Sequence, residues 1–182
     1  EKVRAMGATI AATPAEVGAK CAFVILGVGY DEEVNEVVLG QNGLLDAMKS
    51  GGVIAVCSTV APDTVKALDE KARAKGCDIL DAPICRGRWF ADEGKLLALF
   101  GGRDDVVERG RAVYGTFCSD IAHLGDVGHG HPRHHPDLGG IGLRELHRAG
   151  RLGGSGRPAR RQGRRVLRAR RAAGEDFQIH RM

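Results

Sequence analysis

Short apolar runs alternate with stretches in which apolar residues recur every three or four positions, and this alternation extends from Ala8 to Leu124. The runs are Ala8 to Ala12, Ala22 to Leu26, Val53 to Cys57 and Cys77 to Leu80, each of strand length and too short for a buried helix. Between them lie helical patterns with recognisable starts: Thr13 before Pro14, Asp31 ahead of the Val34, Val37, Val38 face, and Pro62 ahead of Val65 to Ala74. Gly76 stops the last of these. Two further strands, Leu96 to Phe100 and Ile121 to Leu124, flank a helix over Asp104 to Tyr114. Strands this continuously apolar need helices on both faces, so the pattern predicts an α/β fold with a doubly wound, mostly parallel sheet. In such a sheet the loops after the strands gather along one rim, where ligands bind. Those loops are expected to be Gly27 to Tyr30, Ser58 to Pro62 and Asp81 to Gly87.

The texture changes after Gly128. Residues 1–128 carry 14 basic and 19 acidic side chains, a net of −5, whereas 129–182 carry 13 and 4, a net of +9. All seven lysines fall in the first segment, and the second holds ten glycines and thirteen arginines without a sustained helical or alternating apolar pattern. The expected organisation is a folded domain over 1–128 and an irregular, disordered Arg/Gly-rich tail over 129–182. No apolar run is long enough to span a bilayer, and the chain opens on Glu1 and Lys2, so a cytoplasmic protein is expected. The cysteines at 21, 57, 77, 85 and 118 lack the paired short spacing of zinc sites and are expected to be reduced thiols.

Ala22 to Leu26, followed by Gly27, Val28, Gly29 and a helix, looks like the opening of a dinucleotide-binding turn. Glu32 stands where the third glycine belongs, and Asp31, Glu32 and Glu33 would set three carboxylates in the first helical turn, where a pyrophosphate needs bare amides. This turn is therefore expected not to be the diphosphate site. The acids are expected to cap a helix, beside a glycine loop that touches a cofactor further along.

Several blocks in order carry a family likeness: GATIAATPAEV at 7–17, AFVIL at 22–26, VVLGQNGLL at 37–45, VCSTVAPDT at 56–64, LDAPICRG at 80–87, GKLLALFGG at 94–102 and HLGDVGHG at 123–130. Together they resemble the nucleotide-binding domain of the β-hydroxyacid dehydrogenases, a family that includes 3-hydroxyisobutyrate dehydrogenase, tartronate semialdehyde reductase and 6-phosphogluconate dehydrogenase. The resemblance implies an incomplete Rossmann-like domain, with Glu1 to Met6 as the helix after the family's second strand and the GxGxxG turn lying upstream. It also implies a nicotinamide cofactor, NAD or NADP, whose binding is impaired here, and a homo-oligomeric parent.

The same resemblance supplies candidate residues. Val28 and Gly29 match the loop along the dinucleotide, Glu33 a cofactor contact beside it, and Thr59 the residue near the nicotinamide ribose. A hydroxyl at a strand's carboxyl end is well placed to bond a ribose or carboxamide. Ser58 and Thr59 can equally cap the helix that begins near Pro62. The family's substrate loop, DAPVSGG, reads Asp81-Ala82-Pro83-Ile84-Cys85-Arg86-Gly87, which makes Cys85, Arg86 and Gly87 the substrate candidates. An arginine fork at 86 could pair with a carboxylate through two parallel bonds, implying a small acidic hydroxyacid. The alternative is a surface Arg86 beside an inert thiol.

Catalysis in the family needs the lysine of GxGxxxKxxxN. Gly128 and Gly130 match the glycines, but His134 and Leu138 stand at the lysine and asparagine positions. No catalytic residue is assigned, and the reading predicts no turnover and weak or absent cofactor affinity. His129, His131, His134 and His135 do not make a convincing metal site, because Pro132 and Pro136 break any helix that would align them. The stretch from Arg157 to Arg171 raises the competing class, a basic protein binding nucleic acid through its tail. No Phe, Tyr or Trp lies between Phe117 and Phe177 to stack on a base, which argues against it. The abrupt change of composition is instead what GC-rich codons yield in a shifted reading frame, so the tail is expected to be translated out of frame.

Overall fold

The computed structural model describes residues 2–130 and the backbone strands 167–170 and 176–181. In chain order the elements are α1 (Lys2–Ala5), α2 (Pro14–Lys20), β1 (Phe23–Leu26), α3 (Asp31–Leu39), α4 (Leu44–Ala47), β2 (Val53–Val56), α5 (Pro62–Ala74) and β3 (Asp78–Asp81). Then follow β4 (Ile84–Cys85), α6 (Arg88–Asp92), β5 (Leu96–Gly101), α7 (Asp104–Tyr114), β6 (Cys118–Gly125), β7 (Leu167–Arg170) and β8 (Asp176–Arg181).

Helix starts follow local chemistry. Thr13 caps α2 by accepting the Glu16 amide at 3.3 Å, with Pro14 in the first turn. Pro62 opens α5, and Gly76, at φ +73°, turns the chain out of it. The run Ala8 to Ala12, expected as a strand, does not form one: its amides bond locally, Ala8 N to Val3 O and Ala12 N to the Glu16 carboxylate. Ile10 stays 55% exposed, so this run buries too little apolar surface to be drawn into the sheet.

The sheet order is β1-β2-β3-β5-β6-β8-β7, with β4 also on β5. β1, β2 and β3 are parallel, pairing Phe23 with Val53 and Val53 with Asp78. β5 enters antiparallel to β3, and β6 runs parallel to β5. The expected doubly wound α/β sheet is therefore present, with mixed strand direction. After residue 128, where no element was expected, β8 lies antiparallel to β6 and β7 antiparallel to β8.

Successive strand residues point to opposite faces, and both faces are covered. Val24, Leu26, Ile54, Val56 and Ile79 join Val34, Val38, Leu44, Val65 and Leu68 in one core layer. Val53, Ala55, Leu80, Ala98 and Phe100 join Val106, Val107 and Tyr114 in the other. This two-sided burial is why the strands are continuously apolar. Tyr114 is fully buried, edge-on to Phe100 with ring centroids 5.0 Å apart, and its hydroxyl meets Cys57 Sγ at 2.8 Å. No helix among the described residues is long and apolar enough to cross a membrane.

Candidate cofactor-binding rim

The parallel strands β1 and β2 end side by side, which brings two of the expected loops together. Val28 N donates to Ser58 Oγ at 2.8 Å, across 30 residues of chain. Ser58 is buried and takes up the glycine loop; its neighbour Thr59 is exposed on the rim. Gly29 is also exposed, with its amide donating to Glu33 Oε2 at 2.7 Å.

Asp31 ties the same two loops together from the other side. Its Oδ1 accepts from Ala61 N at 3.0 Å and from the Thr64 hydroxyl, so a carboxylate from the first turn of α3 serves the start of α5. Ala61, the residue preceding α5, offers no side-chain cap of its own. The acids therefore do act as caps, with Asp31 serving a neighbouring helix and Glu33 the preceding loop. The Ser58 hydroxyl accepts the Val28 amide, and Asp31 accepts the Ala61 amide at the start of α5. A pyrophosphate at the start of α3 would meet these carboxylates, as the residue pattern indicates.

The third expected loop divides. Asp81 ends β3 on the rim, fully buried, and its Oδ2 accepts from Gly130 N at 2.8 Å. Ile84 and Cys85 are strand rather than loop, paired with Ala98 and Leu97, and they carry the segment along β5 past the rim. Arg86 follows at φ +87° and Gly87 at φ +72°, a left-handed pair in which only the glycine is at ease. The Arg86 side chain is directed inward, with 13% of it exposed. Nη1 lies 2.6 Å from Asp120 Oδ2, and the same nitrogen donates to Ser119 Oγ at 3.1 Å and to Lys95 O at 3.0 Å. The guanidinium also lies over the Phe90 ring at 5.8 Å. Its charge is met inside the protein because Asp120, early in β6, faces the end of β4 across β5.

Burial pushes the Cys85 thiol up, against the opposing effect of Arg86. Burial likewise raises Cys57, and holds Cys118 up at about 12. These thiols are protonated at neutral pH and are poor nucleophiles. Among the described residues no cluster of three or more His, Cys, Asp or Glu could hold a metal. His131, His134, His135 and Leu138 lie outside the described residues, as does most of the stretch from Arg157 to Arg171.

Comparison with known proteins decides the family. Residues 1–125 match the model described as the NAD binding domain of 6-phosphogluconate dehydrogenase. The chain belongs to that family. Two curated relatives are the 3-hydroxyisobutyrate dehydrogenase of Pseudomonas aeruginosa, 36% identical over 113 residues, and the 3-sulfolactaldehyde reductase of Escherichia coli, 31% identical over 124. The matches cover 62% and 68% of this chain but only 37% and 42% of those proteins, so the chain spans less than half their length. Among solved structures, the 3-hydroxyisobutyrate dehydrogenase of Mycobacterium tuberculosis superposes with a TM-score of 0.67 at 22% identity, over 84% of this chain and 53% of that one. At that identity the likeness speaks for the fold.

The geometry fits a nicotinamide dinucleotide along the rim in part. Exposed backbone at Gly29 and an exposed hydroxyl at Thr59 face one edge, held by Ser58 and Asp31. Glu33 occupies the Gly29 amide. Ser58, Asp31 and Asp81 as organisers of this rim were not legible beforehand. Each left a partial signal: Ser58 as a capping hydroxyl, Asp31 as an acid in a first helical turn, and Asp81 as an ionisable residue directly after Leu80.

Proposed function

We propose that this chain is the cofactor-binding half of an NAD(P)-dependent oxidoreductase acting on small 3-hydroxy acids in the cytoplasm. The observation that carries the reading is the joining of the loops after β1 and β2 by the Val28–Ser58 hydrogen bond, which sets Gly29 and Thr59 on one exposed edge within a domain of the NAD-binding family. In this reading Val28 and Gly29 lie along the dinucleotide, Glu33 is the contact beside them, and Thr59 bonds the nicotinamide ribose. When bound, the cofactor accepts or gives the hydride; the protein's part is to orient it.

Cys85, Arg86 and Gly87 are the proposed substrate contacts, with Arg86 also shaping the loop through its pair with Asp120. The substrate class is a small hydroxyacid, as the names of the relatives suggest, in a homo-oligomeric parent. The chain by itself is expected to bind cofactor weakly and not to turn over, since Glu33 competes for the Gly29 amide and a histidine stands at the position of the family's catalytic lysine.

Titrating the chain with NADH and NADPH by fluorescence tests this. Saturable binding is expected, and Thr59→Ala should weaken it by about fivefold, the worth of one net hydrogen bond. Absence of saturation with both cofactors, or an unchanged affinity in Thr59→Ala, would remove the proposal's support.

A further inference from the structure

The segment that follows β6 returns to the rim and is seated there by an unusually close fit. Gly130, itself buried, donates its amide to the fully buried Asp81 carboxylate at 2.8 Å, across 49 residues. A Cβ on Gly130 would stand 2.7 Å from the Asp81 carboxyl carbon, so only glycine leaves room for this bond. At the end of β5, a Cβ on Gly101 would stand 2.6 Å from Asp126 O and 2.8 Å from Gly130 N, so the loop also lies directly on that backbone. On its other side, a Cβ on Gly128 would fall 2.8 Å from Lys66 Cε and 3.3 Å from Pro62 O. Val127 packs against the core layer that contains Val60 and Val65. Residues 126–130 are thus wedged between the ends of β3 and β5 and the start of α5, beside the segment that begins with Thr59.

We propose that Asp81 is a positioning residue for the nicotinamide end of the cofactor: by holding the Gly130 amide it keeps the 126–130 loop against the Thr59–Pro62 segment. The inference rests on the proposed cofactor reading and extends it. Asp81 touches no cofactor itself. A carboxylate is suited to this task because a charge-assisted bond to a backbone amide is stronger than a neutral one, and burial excludes the water that would compete for it. Two of the five residues of the loop it fixes, Gly128 and Gly130, are glycines at close contacts, so it has few side chains with which to hold itself in place.

The test compares Asp81→Asn with the unaltered protein against two ligands, NADH and ADP-ribose, the second carrying everything except the nicotinamide ring. Asp81→Asn should weaken NADH binding by about tenfold, as expected for loss of a hydrogen bond to a charged group, and leave ADP-ribose within about twofold. Equal weakening of both ligands, or no change in either, overturns the inference, because a purely structural role would not distinguish them. Gly128→Ala offers a second route should Asp81→Asn fail to fold. It pushes the loop off Lys66 and Pro62 without altering the carboxylate, and the same selective loss is expected. If the unaltered protein binds neither ligand, the cofactor reading itself is wrong and the inference falls with it; if it binds both and only the selectivity is missing, the cofactor reading stands and Asp81 has no positioning role.

Discussion

Asp120→Ala is expected to lower the unfolding free energy by about 3–5 kcal/mol, the penalty for stranding a buried cation. The Arg86 and Asp120 side chains are only 13% and 10% exposed, and their nearest atoms are 2.6 Å apart. Removing the carboxylate leaves the guanidinium with Ser119 Oγ and Lys95 O, neither of which carries a countercharge. Arg86→Gly acts differently. It strands the Asp120 carboxylate, but that group keeps the Ser119 hydroxyl as a donor, and glycine at a backbone angle of +87° relieves about 1–3 kcal/mol of left-handed strain. Its cost should be clearly smaller than that of Asp120→Ala. The double variant should be more stable than Asp120→Ala alone, since no buried cation is then left behind. Urea unfolding of the three variants measures the coupling. Strict additivity of the two single effects would show that the ion pair does not hold the end of β4 to β6.

Tyr114→Ala is expected to cost about 3–5 kcal/mol, the range for deleting a large aromatic side chain from a core. The ring fills the layer between α7 and the sheet, with Phe100 edge-on at 5.0 Å and Phe117 at 4.9 Å. Domains of this kind are stable by about 5–15 kcal/mol in total, so the variant should stand close to its unfolding threshold at 25 °C. Tyr114→Phe removes only the hydroxyl that meets Cys57 and should cost about 1 kcal/mol. Thermal melts of the two variants separate packing from the hydrogen bond. Equal losses would place the main contribution in the Tyr114–Cys57 contact.

How much of this was legible in the residue pattern depends on how local the determining physics is. β2, β3, β5 and β6, and the helices α5 and α7, follow from runs, caps and periodicity that span a few residues each. The helix over Asp104 to Tyr114 has the same limits in pattern and structure. Ala8 to Ala12 is apolar enough for a strand, but pairing needs a neighbour, and its amides bond within residues 3–16 instead. β4 is two residues long and forms only because β5 lies alongside.

The site shows the same division. Gly29 and Thr59 could be placed on one rim because parallel strands deliver their carboxyl ends together. What Arg86 does could not be read, because its partner Asp120 is brought to it by a sheet register that no local pattern encodes. Asp31 serving the start of α5, and Asp81 holding Gly130, are likewise contacts between segments remote in sequence.

The central claim is that the edge formed by the loops after β1 and β2 is where a nicotinamide dinucleotide binds. Amide-resolved NMR during titration with NADH tests it most directly. Chemical-shift changes should concentrate at Val28, Gly29 and Thr59, with Gly130 following as the adjoining loop responds. Changes confined to residues beyond 130, or spread evenly over the surface, would contradict it.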